Sequence, residues 1–135
     1  MLKAICQFIE NKTSFVKGTT LQVGWRPQDA PNRCILVAES GGGSVIFDLK
    51  DRADKMIQIL ARGRPNYYWD PYDDSYEVYN VLHGAAGWAL PEVVVGKKYQ
   101  AMVIEAVAIP QYLGIDEKER HEFSTNYIFR IRDRD

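Results

Sequence analysis

Phe123-Ser124-Thr125-Asn126-Tyr127-Ile128-Phe129-Arg130-Ile131-Arg132 carries the clearest periodicity in the chain. Phe123, Thr125, Tyr127, Phe129 and Ile131 occupy alternate positions, and Glu122, Ser124, Asn126, Arg130 and Arg132 fall between them. A period of two is the side-chain period of a β-strand, so one face packs and the other is wet or meets a partner.

Strands to lie beside it are found upstream. Residues 99–109 are apolar on both faces, as in a central strand, and residues 88–95 are β-rich; Gly96-Lys97-Lys98 joins the two into an expected hairpin. Residues 55–62 set Ile57, Ile59 and Ala61 on one side and Met56, Gln58, Leu60 and Arg62 on the other. Residues 34–38 suit a fully buried strand. Leu21, Val23 and Trp25 alternate with Gln22 and Gly24 before a loop through Arg26-Pro27-Gln28-Asp29-Ala30-Pro31. Ser40-Gly41-Gly42-Gly43-Ser44 is too glycine-rich for regular structure and predicts a mobile loop.

Two segments have helical spacing. Leu2, Ile5, Cys6 and Ile9 make an amphipathic helix ending near residues 11–14. Asp70-Pro71 reads as a cap followed by proline at the first helical position, with Asp73 and Asp74 facing the positive end of the dipole. That helix is expected over residues 72–82, closed by His83 and a left-handed Gly84. The fold class that follows is α+β, a mixed or antiparallel sheet with two helices packed on it, in a single domain spanning residues 1–135.

Composition fits one core: the 135 residues are 46% hydrophobic and 26% charged. Seventeen Lys and Arg against 18 Asp and Glu leave a formal charge of -1, which disfavours DNA binding as the main task. Cys6 and Cys34 sit in apolar runs and are expected to be buried, reduced thiols of a protein made inside the cell. The N-terminal apolar residues are broken by Gln7 and Glu10, unlike a signal peptide, and no run is long enough to span a bilayer.

No catalytic, metal or cofactor motif emerges. Tyr67-Tyr68-Trp69-Asp70-Pro71-Tyr72-Asp73-Asp74 is the most unusual stretch, but its acids are accounted for by a helix start. Its aromatics fit packing or a subunit contact better than stacking on sugars or bases, because no basic groove accompanies them. The glycine run lacks the Gly-Lys-Ser/Thr of a phosphate loop, and Ser14, Ser44 and Ser124 lack a nucleophile elbow. His83 suits a helix end, and His121 the solvated start of a strand.

A partner or subunit interface is therefore expected at Arg62, Arg64, Tyr67, Tyr68, Trp69, Asn126, Arg130 and Arg132. Arg130 and Arg132 can make charge-assisted contacts with carboxylates of another subunit, for which Asp48, Asp51 and Asp54 are available in a loop. Residues 41–43 and 64–70 are expected to be mobile until ordered by neighbours.

Several stretches resemble the tail terminator, or minor capsid, family of long-tailed bacteriophages. They are Ile57-Gln58-Ile59-Leu60-Ala61-Arg62-Gly63, Tyr79-Asn80-Val81-Leu82-His83-Gly84, and Ile109-Pro110-Gln111-Tyr112-Leu113-Gly114-Ile115-Asp116-Glu117 followed by Phe123-Ser124-Thr125-Asn126-Tyr127. Leu21-Gln22-Val23-Gly24 and Val37-Ala38-Glu39-Ser40-Gly41-Gly42 resemble the family's early strands. The resemblance implies a non-enzymatic structural protein of the virion tail, without cofactor or membrane, assembled in the bacterial host cytoplasm. Its implied partners are copies of itself in a ring, typically a hexamer, the tail tube protein, and a head connector or stopper, with genome DNA only passing through the lumen. The alternatives are another head-tail connector protein or a glycan-binding module built on Tyr67, Tyr68 and Trp69. A metal-dependent hydrolase using Asp70, Asp73 and Asp74 is a weaker third.

Overall fold

The computed structural model of the chain describes residues 1–40 and 52–133. The glycine loop expected at 41–43, with Ser44, Asp48 and Asp51, lies outside the described residues.

The elements run α1 (Leu2–Lys12), β1 (Leu21–Val23), β2 (Cys34–Glu39), β3 (Arg52–Arg62), α2 (Trp69–Leu82), β4 (Ala86–Ala89), β5 (Tyr99–Ala106), β6 (Gln111–Ile115) and β7 (His121–Asp133). Among the described residues, seven strands form one sheet in the order β1-β2-β3-β7-β5-β4, with β6 also paired to β7. β1 runs parallel to β2, and the other pairings are antiparallel. The expected α+β class with a mixed sheet is the observed one.

β7 organises the sheet. On one edge it pairs with the whole of β3, from Arg52↔Arg132 to Arg62↔Glu122. On the other edge, Tyr127 to Asp133 pair with β5 and His121 to Ser124 with β6. β5 and β6 thus lie end to end along one side of β7, separated by a bend that includes Pro110, which has no N–H for a ladder. The Val107 amide donates to the Asn126 carbonyl at 2.8 Å and keeps the chain against β7 through the bend.

This register collects the apolar alternations on one face: Ile35 and Val37, Ile57, Ile59 and Ala61, Phe123, Tyr127, Phe129 and Ile131, and Ala101 and Ile104. Ile5, Phe8 and Ile9 of α1 and Val78 and Leu82 of α2 join the same buried cluster. Both helices therefore cover one face, because each has an apolar stripe and the sheet has one apolar side. Cys6 and Cys34 are free and buried. Burial pushes the Cys6 thiol up to about 11.

The structure departs from the expected elements where valine and aromatic content was read as strand. β4 stops at Ala89, and after the buried Leu90 the valines Val93, Val94 and Val95 are exposed. Pro91 and Gly96 bracket that run and keep it out of the sheet. Trp25 lies outside β1, since Gly24 (φ +81°) turns the chain away and leaves Trp25 69% exposed. β5 ends at Ala106, short of residue 109, and β6 was not anticipated as a strand at all.

The first helix matches its expected span, and its end is held by Thr13, whose amide and hydroxyl both reach the Ile9 carbonyl. α2 ends as expected at His83 and at Gly84 with φ +81°. Its start does not match. It begins at Trp69 rather than Tyr72, and no side chain caps it.

Candidate assembly surface

The sequence that leaves β3 explains the early start of α2. At Gly63 an added Cβ would stand 2.7 Å from both Asp70 Cβ and Pro71 Cδ, so the end of β3 and the first turn of α2 approach as closely as backbone allows. Asn66 turns the chain with φ 65°. Its amide donates to the Glu119 carbonyl at 2.9 Å, which ties the connection to the turn before β7.

Asp70 points inward from this junction. Its Oδ2 accepts from the Arg64 amide at 3.0 Å and from Arg64 Nε at 2.8 Å, and its Oδ1 from Arg64 Nη2 at 3.1 Å. Arg33 Nη1 stands 3.2 Å from the same Oδ1. Arg33 also grips Asp74 with two bonds of 3.1 and 2.9 Å. Asp70 and Asp74 are both buried and are spent on these arginines, which corrects their assignment to helix capping. A carboxylate pointed at two guanidiniums gains more than one facing the partial charge of a helix end.

Residues 64–70, expected to be ordered only by neighbours, already have partners within the chain. That segment is anchored within the chain by Arg64, Asn66 and Asp70, and the Arg64 guanidinium lies 4.1 Å over the Tyr67 ring.

The Arg64 side chain is the first cause holding the Asp70 carboxyl below its ordinary range, whereas burial pushes Asp74 up despite Arg33. The signs are opposite. A depressed folded-state pKa stabilises the fold above the unfolded value, and that contribution is lost as pH falls from the unfolded value through the depressed folded one. We expect Asp70→Asn to lower the urea midpoint at pH 7 and to flatten the acid limb of stability relative to the parent. Asp74 shares Arg33 with Asp70 and feels its charge, so the comparison is repeated in an Asp74→Asn background. Parallel acid limbs would refute the clamp.

Around this clamp sits an aromatic cluster. Tyr68 meets Tyr112, His121 and Phe123, each at 5.5 Å between ring centroids. The Tyr112 hydroxyl and His121 Nδ1 are 2.8 Å apart. His121 does open β7, as expected, but it is half-buried among rings rather than solvated. Trp69 stands edge-on to Tyr68 and to Tyr72, both at 5.1 Å. Trp69 stays 64% exposed, and Tyr67 and Tyr112 are exposed as well.

Of the remaining expected interface residues, the three arginines are engaged within the chain. Arg62 is buried and donates to the carbonyls of Asn32 and Pro31 at 3.0 and 2.9 Å, holding the loop before β2. Arg130 pairs with Asp54 at 2.7 Å and with Glu105 at 3.4 Å, all on the face of the sheet away from the helices. Arg132 reaches Gln100 Oε1 at 3.1 Å. Asp54 thus belongs to β3 and serves its own chain rather than lying idle in a loop. Asn126 is half-buried on that same face. The structure brings Arg64, Tyr67, Tyr68 and Trp69 together at one end of the sheet, buries Arg62 at that same end of β3, and leaves Asn126, Arg130 and Arg132 on the face away from the helices.

A second surface was not anticipated. A hollow of about 570 Å³ lies at the opposite end of the sheet, where Leu2, Lys3, Val93, Val94, Lys97 and Tyr99 contribute to its wall. The signal was the run Val93-Val94-Val95, whose strand-like composition hid the fact that it has no strand to pair with.

His83 accepts the Ala106 amide at 3.0 Å and stacks on Tyr79. Among the described residues, no three His, Cys, Asp or Glu side chains are placed to hold a metal ion, and no helix is long and apolar enough to cross a membrane. The family model for the bacteriophage tail terminator protein matches residues 8–133. No curated protein matches the chain.

Proposed function

The chain belongs to the bacteriophage tail terminator family, whose role in the tail is structural, and we propose that it closes into a ring, typically a hexamer, on the finished tail tube. There it stops further tube polymerisation and offers its outer surface to the head connector or stopper. Assembly takes place in the bacterial host cytoplasm, and genome DNA only passes through the lumen. The family match over residues 8–133 carries this reading. It is supported by large apolar side chains exposed at both ends of the sheet, which is what a subunit of an assembly presents.

Negative-stain imaging and native mass spectrometry of the purified chain, alone and with polymerising tail tube protein, test it. Rings and tubes of arrested length are expected. A chain that stays monomeric and leaves tube growth unchanged would overturn it. A glycan-binding role for Tyr67, Tyr68 and Trp69 is less favoured, because edge-on packing among Tyr68, Trp69 and Tyr72 does not build the flat platform on which a sugar ring stacks.

A further inference from the structure

We propose that the ring contact is a knob and a hole: Trp69 of one copy seats in the hollow between the start of α1 and the valine run of the next copy. The proposal rests on the ring reading above and names the surface that reading leaves open.

The knob is pre-organised. Trp69 is held by two edge-on tyrosines, and α2 is locked by Arg64 and Arg33, so little side-chain freedom remains to be lost on binding. A large exposed aromatic held in this way is the usual anchor of a protein interface. The hole has the size and lining to receive it: about 570 Å³, walled by Leu2, Val93, Val94 and Tyr99. A second hollow of about 430 Å³ on the other side of Val93 shares Leu2 and Lys3 with the first. Val93 and Val94 remain 42% and 45% exposed with nothing covering them among the described residues.

Charge selects a second copy as the occupant. Asp73, one helical turn after Trp69 and on the same side of α2, is exposed and makes no ion pair among the described residues. Lys3 and Lys97 at the hollow are likewise exposed and unpaired among the described residues, while Lys55 there is matched by Glu39 at 2.8 Å. An acid beside the knob thus meets ammonium groups beside the hole.

The two surfaces lie at opposite ends of the sheet. Lys55 lines the hollow and Arg62, at the other end of β3, leads into Trp69; along the strand that is roughly 23 Å. One copy cannot satisfy itself. The contact is heterologous, and repeating it head to tail closes a ring when the rotation allows.

The test uses the full chain and reads ring mass by native mass spectrometry over a protein dilution series, with circular dichroism to show that each variant is folded. Trp69→Ala, Val94→Asp, Asp73→Lys and Lys97→Glu should each raise the concentration needed for rings by about tenfold or more. Asp73→Lys combined with Lys97→Glu should bring it back toward the parent value. Trp69→Phe, which keeps an aromatic ring, serves if the alanine variant does not fold and should weaken rings less than Asp73→Lys. Rings at the parent concentration in every folded single variant would overturn this contact and leave the ring reading standing. Loss of rings without rescue in the charge swap would also overturn it, by placing Trp69 against another site or the tail tube. A parent chain that forms no ring even with tubes present would remove the ring reading, and this contact with it.

Discussion

Phe129→Ala is expected to cost about 3–5 kcal/mol, the range for deleting a fully buried phenyl group whose surroundings cannot collapse. Phe129 is completely buried on β7, which is flanked by β3 and β5 and lies under the helices. Relaxation into the void would have to move β7, and β7 is hydrogen-bonded along both edges. With total stabilities near 5–15 kcal/mol, such a loss leaves the variant marginal. Urea unfolding at 25 °C measures it, and an unchanged m-value shows that both proteins unfold from the same compact state. A loss below about 1 kcal/mol would mean that the core can close over the gap and is not centred on β7.

Among the glycines of the described residues, Gly63 leaves least room for a methyl group, and Gly63→Ala should cost about 1–3 kcal/mol from overpacking. The new Cβ would meet Asp70 Cβ and Pro71 Cδ at 2.7 Å and the Tyr67 carbonyl oxygen at 3.0 Å. None of these atoms is the far end of a flexible side chain. Either the Arg64–Asp70 clamp opens or the first turn of α2 moves, and both displace Trp69. Gly84→Ala is the control: nothing stands within 4 Å there, and only the left-handed φ of +81° opposes a side chain, at about 1–2 kcal/mol. Both substitutions should lower stability, but only Gly63→Ala is expected to weaken ring assembly and shift tryptophan emission as well. If the two variants differed in none of these, the tight junction would not be a structural constraint.

The departures share a physical cause. Asp70 before Pro71 has the local chemistry of a helix cap, and the competing arrangement becomes visible only when Arg33, 41 residues before Asp74, is brought alongside. Arg130 opposite Asp54 looks available to another subunit until β3 and β7 are paired in register, which makes the two neighbours across 76 residues. Charged side chains choose partners by distance, and distance between remote segments is set by packing rather than by neighbours in the chain. The proposed contact between copies has the same dependence, since complementarity between two copies rests on which side chains the fold leaves exposed.

Alternation along residues 123–131, helical spacing along residues 2–9 and the glycine stop at Gly84 were determined by the sequence itself. Each arises from backbone geometry acting over a few residues, where side-chain spacing or a left-handed φ is enough to decide the outcome. Only the tertiary structure decided that β5 and β6 share one edge of β7, that both helices cover the same face, that Asp70 faces arginines, and that Trp69 and the valine hollow stand at opposite ends of the sheet. Those outcomes depend on strand order and register, which are fixed when remote apolar faces are buried together and are encoded in no single segment.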